Sequence, residues 1–314
     1  MFALRGVAIS ISVFVLVYGA LSIVIASSWR IMLPACTRMS GRRSAQVLFL
    51  LRLSPVICAW SITAIFAVPS FLLLEPRFVA EPLGGISLMG TLCGSVIVIL
   101  GCLRAARSML ESSRFIRTWT RGALQIHRRG GLSILKIPAI APAMTIAGIV
   151  RPSILVSDMA ISSLTAAEYQ VALRHEFAHL RGRDNLKKLL LHLVCFPGMR
   201  ELERAWMRAS EIAADESAVE GAGDALDLAS ALLKLSRLGC CSAPKLTTAL
   251  LENPISVVQA RVEHLLACDG RPDPLLRKSR WYIFSAALAG SAMLVVTYGR
   301  LLVEMHAATE WLMR

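Results

Sequence analysis

The sequence predicts a mainly helical membrane protein, with four transmembrane helices and a cytoplasmic α+β domain between the third and the fourth. Three observations lead there. The 314-residue chain is 55% hydrophobic and only 18% charged, too apolar for an ordinary soluble protein. Four windows, 6–29, 53–74, 82–103 and 281–299, hold no charged residue, and each is roughly the twenty residues that a bilayer core requires. The stretch between the third and fourth windows has another texture, with capped helices and short apolar runs broken by proline and glycine. The organisation is therefore three membrane helices in 1–104, a folded domain in 105–280, and a fourth membrane helix with a short external tail in 281–314.

The first window is too long for the apolar core of a signal peptide, and its basic cluster follows it, so it reads as a retained anchor. In the second, Pro55 and Pro69 are tolerable because neighbouring helices can satisfy the freed backbone groups. Gly84, Gly85, Gly90 and Gly94 in the third make a packing face of small residues. Arginine-rich short loops stay in the cytoplasm. Arg30, Arg38, Arg42, Arg43 and Arg52 join the first two windows without an acid between them. Seven arginines from Arg104 to Arg129 follow the third, and Arg277, Lys278 and Arg280 precede the fourth. All three basic segments are internal only if the N-terminus is outside, which also puts the C-terminus outside.

The net charge of +13 is accounted for by arginines facing anionic lipid head groups, and no direct nucleic-acid binding is expected. None of the eight cysteines forms a C-x-x-C pair, so neither a disulfide framework nor a cysteine metal site is indicated.

Along the domain, 105–131 reads as a helical extension of the third membrane helix that gives way at His127-Arg-Arg-Gly-Gly131. Two or three short strands follow between Leu132 and Val156, with Thr145–Val156 the best strand-turn-strand pair. Such a strand beside a peptidase helix can serve as an edge for an extended peptide or simply cap the core. Thr165-Ala-Ala-Glu168 is a capping box, and Gly182 marks the end of the helix that it opens. Further helices are expected from Leu186 to Cys195, N-capped by Asp184 and stopped by Pro197-Gly198, then over Arg200–Glu220, Asp224–Leu238 and Ser256–Ala267.

The capped helix carries His175-Glu176-Phe-Ala-His179. Residues four apart stand one above the other, so two imidazoles can face one ion with a carboxylate beside them, the arrangement of a zinc site with a built-in base. Such a site takes a third protein ligand and leaves a place for water. Two routes to that ligand compete. Gly182 fits a longer motif that would end in a third histidine, but Asn185 stands at that place, with Asp184 one residue early. On the later helix Glu211 and Asp215 share a face, so that one can bind metal and the other accept a hydrogen bond from a ligand histidine. An exposed face of ion pairs with Arg204 and Arg208 would use the same spacing.

His175–His179, Arg183-Asp184-Asn185 and Glu211-x-x-Ala-Asp215, inside a domain between the third and fourth membrane helices, resemble the membrane metallopeptidases of the beta-lactam sensor-transducer (antirepressor) family. Glu-x-x-Ala-Asp is also similar to an element of membrane gluzincins of the CAAX-prenyl-protease and heat-shock type. The resemblance covers about Thr145 to Ala267 in local pattern. It implies a gluzincin-like zinc peptidase domain in which His175, His179 and Glu211 bind Zn2+, Glu176 is catalytic and Asp215 supports a ligand. It implies a bacterial inner-membrane endopeptidase, acting in signalling on a cytoplasmic protein such as a transcriptional repressor. Family members that detect beta-lactams carry a penicillin-binding domain after the fourth helix, where only Leu301–Arg314 stands here, so antibiotic sensing by this chain itself is not expected, and a separate sensor subunit stands among the candidate partners. Arg261, His264 and Tyr169 are the candidates for oxyanion or substrate contacts. The other readings are a membrane-protein quality-control peptidase and a signalling scaffold with a structural zinc.

Overall fold

The computed structural model describes residues 2–76, 84–121, 123–129, 132–138, 142–150, 152–238, 248–249, 255–267 and 296–311. The first three apolar windows form helices considerably longer than the windows themselves. α1 spans Phe2–Thr37, and α2 spans Gly41–Ile62. A five-residue π-helical turn, Thr63–Ala67, carries α2 into α3, Val68–Leu74, and α4 runs over Gly85–Thr120. Among the described residues, three helices are long and apolar enough to cross a membrane: α1, α2 continued through α3, and α4. Most of the fourth expected span lies outside the described residues; from 296 the chain is helical to 311, where a short tail beyond Arg300 was expected.

Polar contacts stitch the bundle. Arg5 and Glu75 are buried as an ion pair at 2.8 Å. The Tyr298 hydroxyl donates to the Ile65 carbonyl in the π-helical turn. Gly90 and Gly94 of α4 face Ser12, Ile11 and Val15 of α1, so the small residues do line a helix contact.

α4 stops at Thr120, and β1, Leu124–Arg129, follows where a helix to residue 131 was expected. Leu124-Gln-Ile-His-Arg-Arg129 pairs antiparallel with β2, Leu132–Ile137, with Arg129 opposite Leu132. Gly130 and Gly131, which separate the two strands in the sequence, lie outside the described residues. β3, Met144–Ala147, and β4, Ser153–Ser157, complete the expected pair, and β5 is Thr248–Ala249. The order β1-β2-β4-β3-β5 is mixed, since β2 and β4 run parallel and the other neighbours antiparallel. β5 covers the outer side of β3 at Thr145 and Ile146, so the edge considered for a peptide is partly taken by the chain itself.

Alternation in β4 explains why both faces of the sheet are covered. Ile154 and Val156 face a core with Val171, Ala172, Leu228, Leu232 and Leu235, while Leu155 faces Phe115, Ile116 and Trp119 at the end of α4. The helices on the first face are α5 (Asp158–Ser163), α6 (Ala166–Gly182), α9 (Ala222–Ser236) and α10 (Ile255–Ala267).

α7, Asp184–Leu193, and α8, Arg200–Ala218, form a hairpin that docks on the apolar bundle. Trp29, Cys36, Ala45 and Leu48 pack with Leu191, Met199, Leu202 and Trp206. The hairpin tip reaches farthest: the Tyr18 hydroxyl donates to the Cys195 carbonyl, and the buried Arg52 donates to the Val194 carbonyl and to Glu203 at 3.0 Å. At the other end of α8 the Gly41 N–H donates to both oxygens of Glu216, at 2.9 and 3.1 Å. A Cβ on Gly41 would stand 2.7 Å from the Ala213 nitrogen, which is why these backbones can meet.

Candidate metal centre

Both halves of the capping box on α6 are made. The Glu168 N–H donates to Thr165 Oγ1 and the Thr165 N–H to Glu168 Oε2, and Glu168 also accepts from Lys234 and Ser230. From this anchored start, two turns carry the chain to His175, Glu176 and His179, all buried against α8.

The histidines turn their Nε2 atoms toward each other at 3.1 Å. Two nitrogens each bound to one ion at about 2.0–2.1 Å with a tetrahedral angle would stand roughly 3.3 Å apart. Glu211, arriving on α8, places Oε1 3.5 Å from His179 Nε2 and Oε2 3.8 Å from His175 Nε2. These three residues each offer a ligand atom within 4.8 Å of the others. Asn185, at the alternative ligand position, donates instead to the Ile146 and Gly148 carbonyls of the sheet.

The rear of each imidazole meets a different acid. His175 Nδ1 is 2.9 Å from Asp215 Oδ1, and His179 Nδ1 is 2.7 Å from Asp184 Oδ2. Arg261, from α10, grips Asp215 with Nε at 2.8 Å and Nη2 at 2.6 Å, and sets Nη1 3.0 Å from Glu211 Oε2. The expected oxyanion candidate thus spends its visible contacts on the acids of α8. His264 stands 3.4 Å from Glu216, and Tyr169 packs against the sheet core, so neither is brought to the cluster. Asp184, expected as an N-cap and standing one residue short of the alternative ligand position, caps nothing: α7 begins at Asp184 itself, and its carboxylate meets His179, five residues back, and Ser210.

The electrostatics follow from burial. Burial pushes the Glu176 carboxyl up to about 8, with the Glu211 charge adding to it and His179 opposing. Burial lowers the His175 imidazole against the pull of Asp215. Burial would lower His179 too, but Glu211 and Asp184 outweigh it and raise it. Asp184 falls to about 2, because His179, Lys187 and Ser210 overcome the burial that would raise it. Arg261, with His175, likewise holds Asp215 below the ordinary carboxylate range against its burial.

Both Glu176 oxygens are buried without a hydrogen-bond partner among the described residues. A carboxylate in that state is costly unless something polar faces it, so the donor set suits a divalent cation with an exchangeable water better than a closed core. Two imidazoles and one carboxylate are the chemistry of a catalytic rather than a wholly structural site. Beside His179, a cavity of about 320 Å3 is lined by Ile146, Val150, Leu180, Arg183 and Leu186 among others.

No curated protein matches the chain. The model of the metallopeptidase family described as BlaR1 peptidase M56 matches residues 74–265, a stretch running from the end of α3 through α4 and the sheet to α10 and holding every member of the His-His-Glu group. With apolar helices long enough to cross a membrane beside that group, the chain belongs to the BlaR1 peptidase M56 family.

Proposed function

We propose that the protein is an integral-membrane, zinc-dependent endopeptidase that cuts a cytoplasmic or membrane-proximal regulatory protein, such as a transcriptional repressor. The observation that carries this reading is the convergence of His175, His179 and Glu211 next to a carboxylate, Glu176, whose oxygens have no hydrogen-bond partner among the described residues. His175, His179 and Glu211 would hold the ion, which when bound supplies a Lewis acid for the scissile carbonyl and lowers the pKa of water to about 7.

Glu176 accepts the proton of the attacking water and returns it to the departing amine nitrogen. Its raised affinity for a proton suits the second half of that task, and the positive charge beside it supports the first. Asp215 orients His175 and neutralises Arg261, which in turn steadies Glu211. The basic loops support a cytoplasmic domain with both termini outside, and a periplasmic-reporter fusion after Arg314 tests that: activity is expected there and absent from a fusion within the α8–α9 turn.

The decisive experiment uses the full-length protein in detergent with a peptide library read by mass spectrometry. Wild type is expected to cleave in a chelator-sensitive way. Glu176→Gln is expected to retain one zinc and lose at least about 100-fold in rate, whereas Glu211→Ala loses the zinc. Undiminished, metal-dependent cleavage by Glu176→Gln overturns the role assigned to Glu176.

A further inference from the structure

We propose that Asp184 is a positioning residue that fixes the tautomer and angle of His179, making the metal centre one with a separate carboxylate behind each histidine. The inference rests on the reading that His175, His179 and Glu211 hold zinc. Its starting point is the junction of α6 and α7, where the chain does something locally unfavourable. Arg183 sits at φ 53°, ψ 40°, the left-handed region that a residue with a Cβ seldom adopts. The residue before it is Gly182, where a Cβ would stand 3.0–3.4 Å from the carboxylate of Asp184. The turn and the missing side chain together let Asp184 fold back over the end of α6.

What it reaches is the Nδ1 of His179, at 2.7 Å, in a place where Asp184 is itself only 6% exposed. A carboxylate there accepts from Nδ1–H, which leaves the lone pair of Nε2 facing His175 and Glu211. Two further groups hold the carboxylate. Ser210 Oγ donates to the same oxygen at 2.7 Å, and Lys187 Nζ donates to the other at 3.1 Å. Ser210 immediately precedes Glu211, so this hydrogen bond also sets α8 against α6 at the level of the third ligand.

The arrangement mirrors the one at His175. There Asp215 stands behind the ring with Arg261 behind the acid; here Asp184 stands behind the ring with Lys187 behind the acid. Glutamate at 184 would overfill the space above Gly182, and asparagine would keep the shape while giving up the charge.

The test is zinc competition against a chromophoric chelator, using full-length protein in detergent, followed by the visible spectrum of the cobalt-loaded form. Wild type is expected to bind one zinc; if it binds none, the reading of the site itself fails. Given wild-type binding, Asp184→Asn is expected to bind zinc 10–100-fold more weakly and to shift the cobalt absorption bands, a change that a purely structural role would not produce. Ser210→Ala, which removes one hydrogen bond and keeps the acid, is expected to weaken zinc binding about three- to tenfold. Should Asp184→Asn fail to fold, the serine variant decides. Zinc affinity within twofold of wild type and an unchanged cobalt spectrum, in Asp184→Asn or failing that in Ser210→Ala, overturn the proposal.

Discussion

The two helices that carry the candidate ligands are secured differently. α6 is held from within its own domain, by the Thr165–Glu168 box, by Lys234 and Ser230 of α9, and by the sheet core. α8 is held from two sides: within the domain Arg261, His175 and Asp184 meet its Glu211, Asp215 and Ser210, and outside it α1 and α2 add apolar contacts and α2 adds polar contacts at both ends. The two histidines of the His-His-Glu group therefore rest on local chemistry, whereas Glu211 rests on the domain and on the membrane bundle together.

Loss of Arg52 probes that contrast most sharply. Arg52→Ala leaves Glu203 and the Val194 carbonyl without their buried donor and is expected to cost about 3–4 kcal/mol, read by denaturant unfolding in detergent. Zinc affinity should fall with it, because the helix bearing Glu211 is loosened. If stability falls while zinc affinity does not, α8 is held as locally as α6 and the contrast collapses.

The α6 side is probed through Glu168. Its burial would raise its pKa, but Lys234, Ser230 and the Thr165 N–H bring it down to about 2, from 4.5 in the unfolded chain. A lowered folded pKa gives stability that is present above pH 4.5 and lost as pH falls toward 2, here roughly 2–3 kcal/mol. Glu168→Gln keeps the reciprocal cap but not the charge, so its stability should be lower at pH 7 and flatter between pH 4.5 and 2. A variant with the wild-type slope there would show that α6 is anchored by something other than this carboxylate.

Two smaller effects sharpen the picture. Thr165→Ala removes one half of the box and should cost about 1 kcal/mol without changing zinc affinity. Arg183→Gly relieves the left-handed backbone and should be neutral or stabilising by up to about 1 kcal/mol, with Asp184 still in place. A large loss in that variant would mean that the arginine side chain, rather than the turn, matters at this junction.

What could be read from the sequence was what depends on short spacings. His175, Glu176 and His179, their cap, and the shared face of Glu211 and Asp215 are all set by helical periodicity, and the structure gathers them. Asp184 escaped because its reach to His179 depends on one backbone angle at Arg183, which residue type does not encode. The continuation of α4 past its apolar window was expected, but its end at Thr120 was not, because that end is set by Phe115, Ile116 and Trp119 bracing Leu155 of the sheet, a contact distant in sequence. β1 was misread because Gln125, Arg128 and Arg129 make its sequence as polar as a solvated helix face, while pairing with β2 is what makes it a strand. The docking of the α7–α8 hairpin was invisible for the same kind of reason: Tyr18 and Arg52 find their partners more than 140 positions away.

The lashing of α8 to α2 also sets the height of the reaction centre. Glu203 meets Arg52, the charged edge of the second apolar window, and Glu211 lies eight residues farther along, about 12 Å. If the centre cuts peptides as proposed and the apolar windows lie in a bilayer, a scissile bond has to come down almost to the lipid head groups to be reached. A folded globule approaching from bulk solvent has to offer a loose tail or an unravelled loop, and a chain already embedded in the bilayer has to offer only the first few residues that emerge from it.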